Sequence, residues 1–162
     1  MVPTREGQLP STFMADVLIA SDSVSLHNEI RSLLTDEGTS VRAVNTGALV
    51  RPTVADRLPD LVIADLQISN MGGVAVSLDL RLEEGAGRLG HVPILLLLDR
   101  RADVFVARRA QVDGWLVKPI EPIRLRRAVQ TLLNGGTYFD DAYLPQPVLA
   151  TTRSSTIDDS GK

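Results

Sequence analysis

The 162-residue sequence predicts an α/β domain: an open, doubly wound sheet of five parallel strands with helices on both faces. Three observations predict it. The apolar runs Val17 to Ala20, Leu61 to Ala64 and Ile94 to Leu98 are continuous rather than alternating, the pattern of strands covered on both faces. Stretches with helical spacing of apolar residues separate them. Strand then helix repeats five times, which favours parallel pairing through right-handed crossovers.

Taken in chain order, the first strand ends before Ser21 and Asp22. The first helix follows from Ser23, with Leu26, Ile30, Leu33 and Leu34 on one face and Gly38 as its stop. Val41 to Val44 is the second strand. Arg42 interrupts it, which suggests a sheet edge where one side chain reaches water. Thr46 to Leu58 is expected to be a short or kinked helix because Pro52 falls inside it. The third strand ends in Asp65, and Gly73 to Glu84 carries the third helix. After the fourth strand and Asp99, Arg101 to Val112 carries the fourth helix, and Trp115 to Val117 is the fifth strand. Pro122 suits the first turn of a fifth helix, whose face is Leu125, Ala128, Val129, Leu132 and Leu133, with Gly135 and Gly136 ending it.

The expected organisation is therefore a tail over residues 1–14, a domain over 15–135, and a flexible tail over 136–162 rich in Pro, Ser, Thr and Asp, with no output domain. The absence of cysteine excludes disulfides, thiolate metal sites and cysteine nucleophiles, and fits the cytoplasm. The longest apolar run, Val92 to Leu98, is too short to span a bilayer, and the first residues lack the apolar block of a signal peptide. A formal charge of −3 gives no general attraction to nucleic acid, and direct DNA binding is not expected. Eight of the 17 basic residues nevertheless fall between Arg100 and Arg127. Arg101, Arg108, Arg109, Arg124 and Arg127 are candidates for a protein-docking face, against the plainer reading of a solvated polar surface.

Ligands of such sheets bind in the crevice outside the carboxyl ends of the strands. Asp22, Asp65 and Asp99 all lie at such ends, and clustered acids repel one another unless a cation neutralises them. Magnesium takes hard oxygen ligands, and Asp22, Asp65 and the backbone carbonyl of Gln67 could supply them. Lys118, at the end of the fifth strand, could reach the same crevice and balance charge on a phosphoryl group. Singly, each has an ordinary explanation: a helix cap, a strand-end acid, a solvated lysine. His27 and His91 have no evident metal partners.

The segments "VLIASDS", "DLVIADLQISNMGG", "HVPILLLLD" and "GWLVKPIEP" together resemble the signature segments of the receiver domain of bacterial two-component response regulators, in order and at family-like separations. The resemblance implies strand order 2-1-3-4-5 and a signalling module rather than an enzyme. By position it implies Asp65 as the acceptor of a phosphoryl group from a histidine kinase, Asp22 as a magnesium ligand, Lys118 as the phosphoryl contact and a cis Lys118–Pro119 bond. Trp115 stands where the family carries a rotating aromatic, usually Tyr or Phe.

Three positions depart from that family's pattern. Ser21 replaces the first of two adjacent acids, so one magnesium-holding carboxylate is missing; a charge at about 4 Å in an effective dielectric of about 20 is worth on the order of 4 kcal/mol, and metal affinity should fall tenfold or more. Leu98 replaces the Ser or Thr whose hydroxyl engages the phosphoryl oxygen, a hydrogen bond that leucine cannot donate. Asp99 replaces a small residue, and the sequence leaves open whether it points into the crevice or out to solvent.

Two functions fit these residues. One is a stand-alone phospho-acceptor receiver using Asp65 and magnesium. The other, favoured by Ser21, Leu98 and Asp99, is an atypical receiver that works by protein–protein contact, as a homodimer or with a downstream protein, with weak or no phosphorylation-dependent switching. A flavodoxin-like flavin binder shares the architecture but is disfavoured: "SDSVS" offers hydroxyls together with an acid that would repel the flavin phosphate.

Overall fold

The computed structural model describes residues 15–35 and 38–140, so the expectations for residues 1–14 and 141–162 lie outside the described residues. Six parallel strands form one sheet in the order β2-β1-β3-β4-β5-β6: β1 Asp16–Ala20, β2 Ser40–Val44, β3 Leu61–Asp65, β4 Ile94–Leu98, β5 Gly114–Val117 and β6 Tyr138–Phe139. The first five repeat the expected order. The sixth extends the expected five-stranded sheet by one short strand: Tyr138–Phe139, two residues of the segment expected as tail, pair with β5.

β3 and β4 are buried at every position, which is why their sequences are unbroken apolar runs. Alternate residues face opposite layers. Leu18, Val62, Ile94, Leu96, Leu98, Trp115 and Val117 pack beneath α2 (Val50–Asp56), α3 (Gly73–Gly85) and α4 (Val104–Ala107). Val17, Ile19, Leu61, Ile63, Leu95, Leu97 and Leu116 pack beneath α1 (Val24–Thr35) and α5 (Pro122–Leu133). None of these helices is long and apolar enough to cross a membrane.

The edge position of β2 is as expected, but Arg42 is not simply solvated. Its guanidinium donates to both Asp16 carboxylate oxygens, at 3.1 and 2.7 Å, and to the Arg57 carbonyl. The second helix is short, as Pro52 predicts, and is preceded by a 3-10 turn at Gly47–Leu49. The fourth is much shorter than the expected Arg101 to Val112. A 3-10 turn at Arg101–Asp103 leads into four α-helical residues, and the chain then tightens through i to i+3 bonds from Arg109 to Val106 and from Ala110 to Ala107. Gln111 ends it at φ +53°, a left-handed conformation that stops a helix.

Candidate functional site

Asp65 closes β3 and is 5% exposed, so its carboxylate needs partners. It has three. The Ser21 hydroxyl donates to Oδ2 at 3.0 Å, the Lys118 ammonium donates to Oδ1 at 3.0 Å, and the Gln67 backbone N–H donates to Oδ1 at 3.3 Å. Parallel pairing puts the ends of β1, β3 and β5 at one edge of the sheet, so residues separated by dozens of positions converge there. The Lys118–Pro119 peptide is cis, as expected.

Ser21, expected only as a lost carboxylate, has a positive task. It is fully buried, donates to Asp65, and accepts the Ser23 N–H at 3.1 Å where the chain turns into α1. Asp99 settles its orientation by accepting from Lys118 Nζ at 2.9 Å. Lys118 therefore bridges two carboxylates. Burial pulls its pKa down, but the hydrogen bonds and charges of Asp99 and Asp65 outweigh that, and the net shift is upward from the ordinary value of 10.5. Leu98, one residue before Asp99, has no exposed surface and belongs to the core beneath α4.

Asp22 and Gln67 are both exposed at this edge of the sheet. Among the described residues no three His, Asp or Glu side chains gather as a metal-binding group. The charge balance still accepts a cation, since Lys118 offsets only one of Asp65 and Asp99. Magnesium needs only one or two carboxylates because it keeps several waters, so buried Asp65 with the exposed Asp22 and the Gln67 carbonyl is the donor set that an ion at this edge would have available.

Trp115, on β5, is 6% exposed, and its ring lies against Phe139 with centroids 4.3 Å apart and planes tilted by 40°. Its indole N–H is buried and has no acceptor. Among the candidate docking residues, Arg101, Arg108, Arg109 and Arg127 are exposed. Arg124 is engaged internally, with Asp140 at 3.1 Å and Glu121 at 3.4 Å. Phe139 and Asp140 went unrecognised in the sequence. The available signal was the aromatic pair Tyr138–Phe139 one residue after Gly135 and Gly136, which turn the chain back toward the sheet.

Residues 17–130 match the response regulator receiver domain. The chain is 28% identical over 124 residues to the DNA-binding response regulator MtrA of Mycobacterium tuberculosis, covering 75% of this chain and 52% of that protein. It is 33% identical over 155 residues to the transcriptional regulatory protein KdpE of Mycobacterium tuberculosis, covering 92% of this chain and 63% of that protein. Each match therefore spans only part of the relative's length. Among solved structures, the chemotaxis response regulator CheY4 of Vibrio cholerae superposes with a TM-score of 0.66 at 26% identity, over 74% of this chain and 98% of that one. The receiver domain of the sensor histidine kinase PA1611 of Pseudomonas aeruginosa, which carries magnesium in its own active-site cleft, has the same fold at 21% identity and a TM-score of 0.67, over 75% of this chain and 98% of that one. Because the match runs from within β1 to within α5, taking in all three strands whose ends meet at Asp65, the chain belongs to the response regulator receiver domain family.

Proposed function

We propose that the chain is an atypical receiver that signals by protein–protein contact, with phosphorylation at Asp65 weak and poorly coupled to conformation. The observation that carries this reading is the end of β4. Leu98 is buried apolar where a hydroxyl would be needed to follow a phosphoryl group, and its neighbour Asp99 holds Lys118 at 2.9 Å. A ligand shifts a two-state equilibrium only through contacts that differ between the states, and an aliphatic side chain makes no such contact with a phosphoryl oxygen. Asp99 adds negative charge beside the acceptor, which opposes the approach of an anionic donor.

The conventional reading has support of its own in the Lys118–Asp65 contact at 3.0 Å. Asp65 would then attack the phosphorus of a kinase partner's phosphohistidine, forming an acyl phosphate O–P bond as the P–N bond breaks and the imidazole leaves, while Lys118 would balance charge on the equatorial oxygens. A bound magnesium ion would add positive charge at the same oxygens. Lys118 must first divide its hydrogen bonds between the incoming group and Asp99, which weakens the reaction without abolishing it. The exposed arginines Arg101, Arg108, Arg109 and Arg127 offer an acidic protein partner a docking face.

Intact mass after incubation with magnesium and acetyl phosphate, comparing the wild type with Asp65→Ala, tests this. The reading expects slow, substoichiometric gain of one phosphoryl group in the wild type alone, with little change in amide exchange on β4 and β5. Rapid stoichiometric labelling with a large exchange change at Trp115 would establish the conventional receiver instead.

A further inference from the structure

The sixth strand has no place in the chemistry at Asp65, yet several independent features hold it down. Gly135, at φ +83°, and Gly136, whose N–H donates to the Thr131 carbonyl at 2.9 Å, turn the chain off the end of α5 toward the sheet. The Tyr138 N–H then donates to the Asp113 carbonyl at 3.1 Å and the Asp140 N–H to the Trp115 carbonyl at 3.1 Å. Asp140 is 5% exposed. Its carboxylate accepts the Val117 N–H at 3.2 Å, the next donor along β5, and the Arg124 guanidinium at 3.1 Å. A side chain thus finishes what two residues of backbone pairing begin, and the outer edge of β5 is covered. Close approach is possible because β5 begins with glycine: a Cβ at Gly114 would overlap the Tyr138 carbonyl oxygen. Phe139 completes the arrangement by lying on the Trp115 ring.

This attachment is thin. β6 has two residues, Phe139 is 39% exposed, and the Trp115 indole N–H beneath it is buried without an acceptor, a cost the docked state carries and hydration would remove. Few buried contacts on a short peripheral element are the condition for local opening without global unfolding.

We infer that residues 137–140 form a detachable latch on β5, which when docked covers the strand edge and holds Trp115 shut, and when released frees both. The aromatic position that Leu98 cannot govern from within the site is governed here from the outer edge of the sheet. That functional meaning rests on the proposed weak coupling to Asp65, whereas the latch itself does not depend on any chemistry there.

Trp115 is the single tryptophan, so its fluorescence reports the latch directly. Native-state amide exchange and acrylamide quenching would be measured on the wild type, Gly114→Ala and Asp140→Ala, with Glu29→Ala, an exposed position on α1, as control. In the wild type, the Tyr138 and Asp140 amides should exchange together and roughly tenfold or more faster than those of β3 and β4. Both latch variants should raise that exchange and the quenching constant several-fold, leaving β1 and β3 protected, while the control matches the wild type. If the strap amides exchange only with the whole sheet in the wild type, the latch is part of the cooperative core and the inference fails, whether or not the variants fold. It fails equally if β6 exchange rises in the variants while Trp115 quenching stays unchanged. Failure of acetyl phosphate labelling at Asp65 would leave this result untouched, so the two readings fall separately.

Discussion

Asp99 accepts a hydrogen bond from Lys118 at 2.9 Å, so the lysine that faces the Asp65 carboxylate already has a second anion. The raised lysine pKa means that the ammonium persists throughout the neutral range, and its contribution to stability is lost only as pH rises past 10.5 and through the higher native value. At neutral pH its charge is therefore constant, and what can vary is the division of its hydrogen bonds between Asp65 and Asp99.

Removing the competitor should release the lysine. Asp99→Ala is expected to increase labelling of Asp65 by acetyl phosphate about fivefold, the equivalent of about 1 kcal/mol for one partly exposed ion pair. Adding Leu98→Thr should couple labelling to conformation, read as a label-dependent change in amide exchange on β4 that Asp99→Ala alone lacks. Equal labelling in wild type and Asp99→Ala would show that Asp99 does not obstruct the acceptor.

Ser21 offers a second lever. Ser21→Ala leaves a lone pair of buried Asp65 without its donor and the Ser23 N–H without its acceptor, so a loss of about 1–3 kcal/mol in urea unfolding is expected. Ser21→Asp sets a second carboxylate against Asp65. That variant should be destabilised without metal and recover in millimolar magnesium, with affinity by calorimetry at least about tenfold above wild type. Wild type binding magnesium as tightly as Ser21→Asp would show that the donor set is not short of a carboxylate.

The sequence exposes most of this arrangement because strands buried on both faces must be apolar throughout, so Leu61 to Ala64 and Ile94 to Leu98 announce themselves and Asp65 stands out as the break. The convergence of Asp65 with Lys118 follows from parallel topology alone. Less legible is whatever depends on side-chain direction at a strand end: Asp99 could face either way until the position of Lys118 was known. Short elements carry no periodicity, which is why Tyr138–Phe139 reads as tail. The fourth helix misled for a related reason: Val104, Ala107 and Ala110 keep helical spacing and are buried, while the backbone beneath them changes to 3-10 turns after Ala107.

Asp16 ties the edge strand down through charge. Burial raises its pKa, but the hydrogen bonds and charges of Arg42 and Arg57 prevail, and the net shift is downward from the ordinary 3.8. A depressed native pKa contributes stability that is present above 3.8 and is lost as pH falls through the native value. Asp16→Asn is therefore expected to cost about 1 kcal/mol at pH 7, seen as a melting temperature lower by ~4 °C. The gap between variant and wild type should close as pH falls well below 3.8. A gap that stayed constant down to acid pH would assign the loss to packing instead of charge.

The loop between β3 and α3, which carries Gln67, is held by a glycine on a different element. Gly47 is buried at the start of the turn before α2, and its N–H donates to the Ser69 carbonyl at 3.1 Å. A Cβ there would overlap the Met71 carbonyl oxygen, so Gly47→Ala must push the loop outward, at about 1–3 kcal/mol. Gln67 moves with that loop, so magnesium affinity should fall as well. Gly85, at the end of α3, has no atom within 4 Å of its would-be Cβ and no left-handed φ, so Gly85→Ala should stabilise by about 0.5 kcal/mol. Urea midpoints of the two variants should thus move in opposite directions for the same added methyl group. A Gly47→Ala protein as stable as wild type, with unchanged magnesium binding, would mean that the loop is not positioned by this contact.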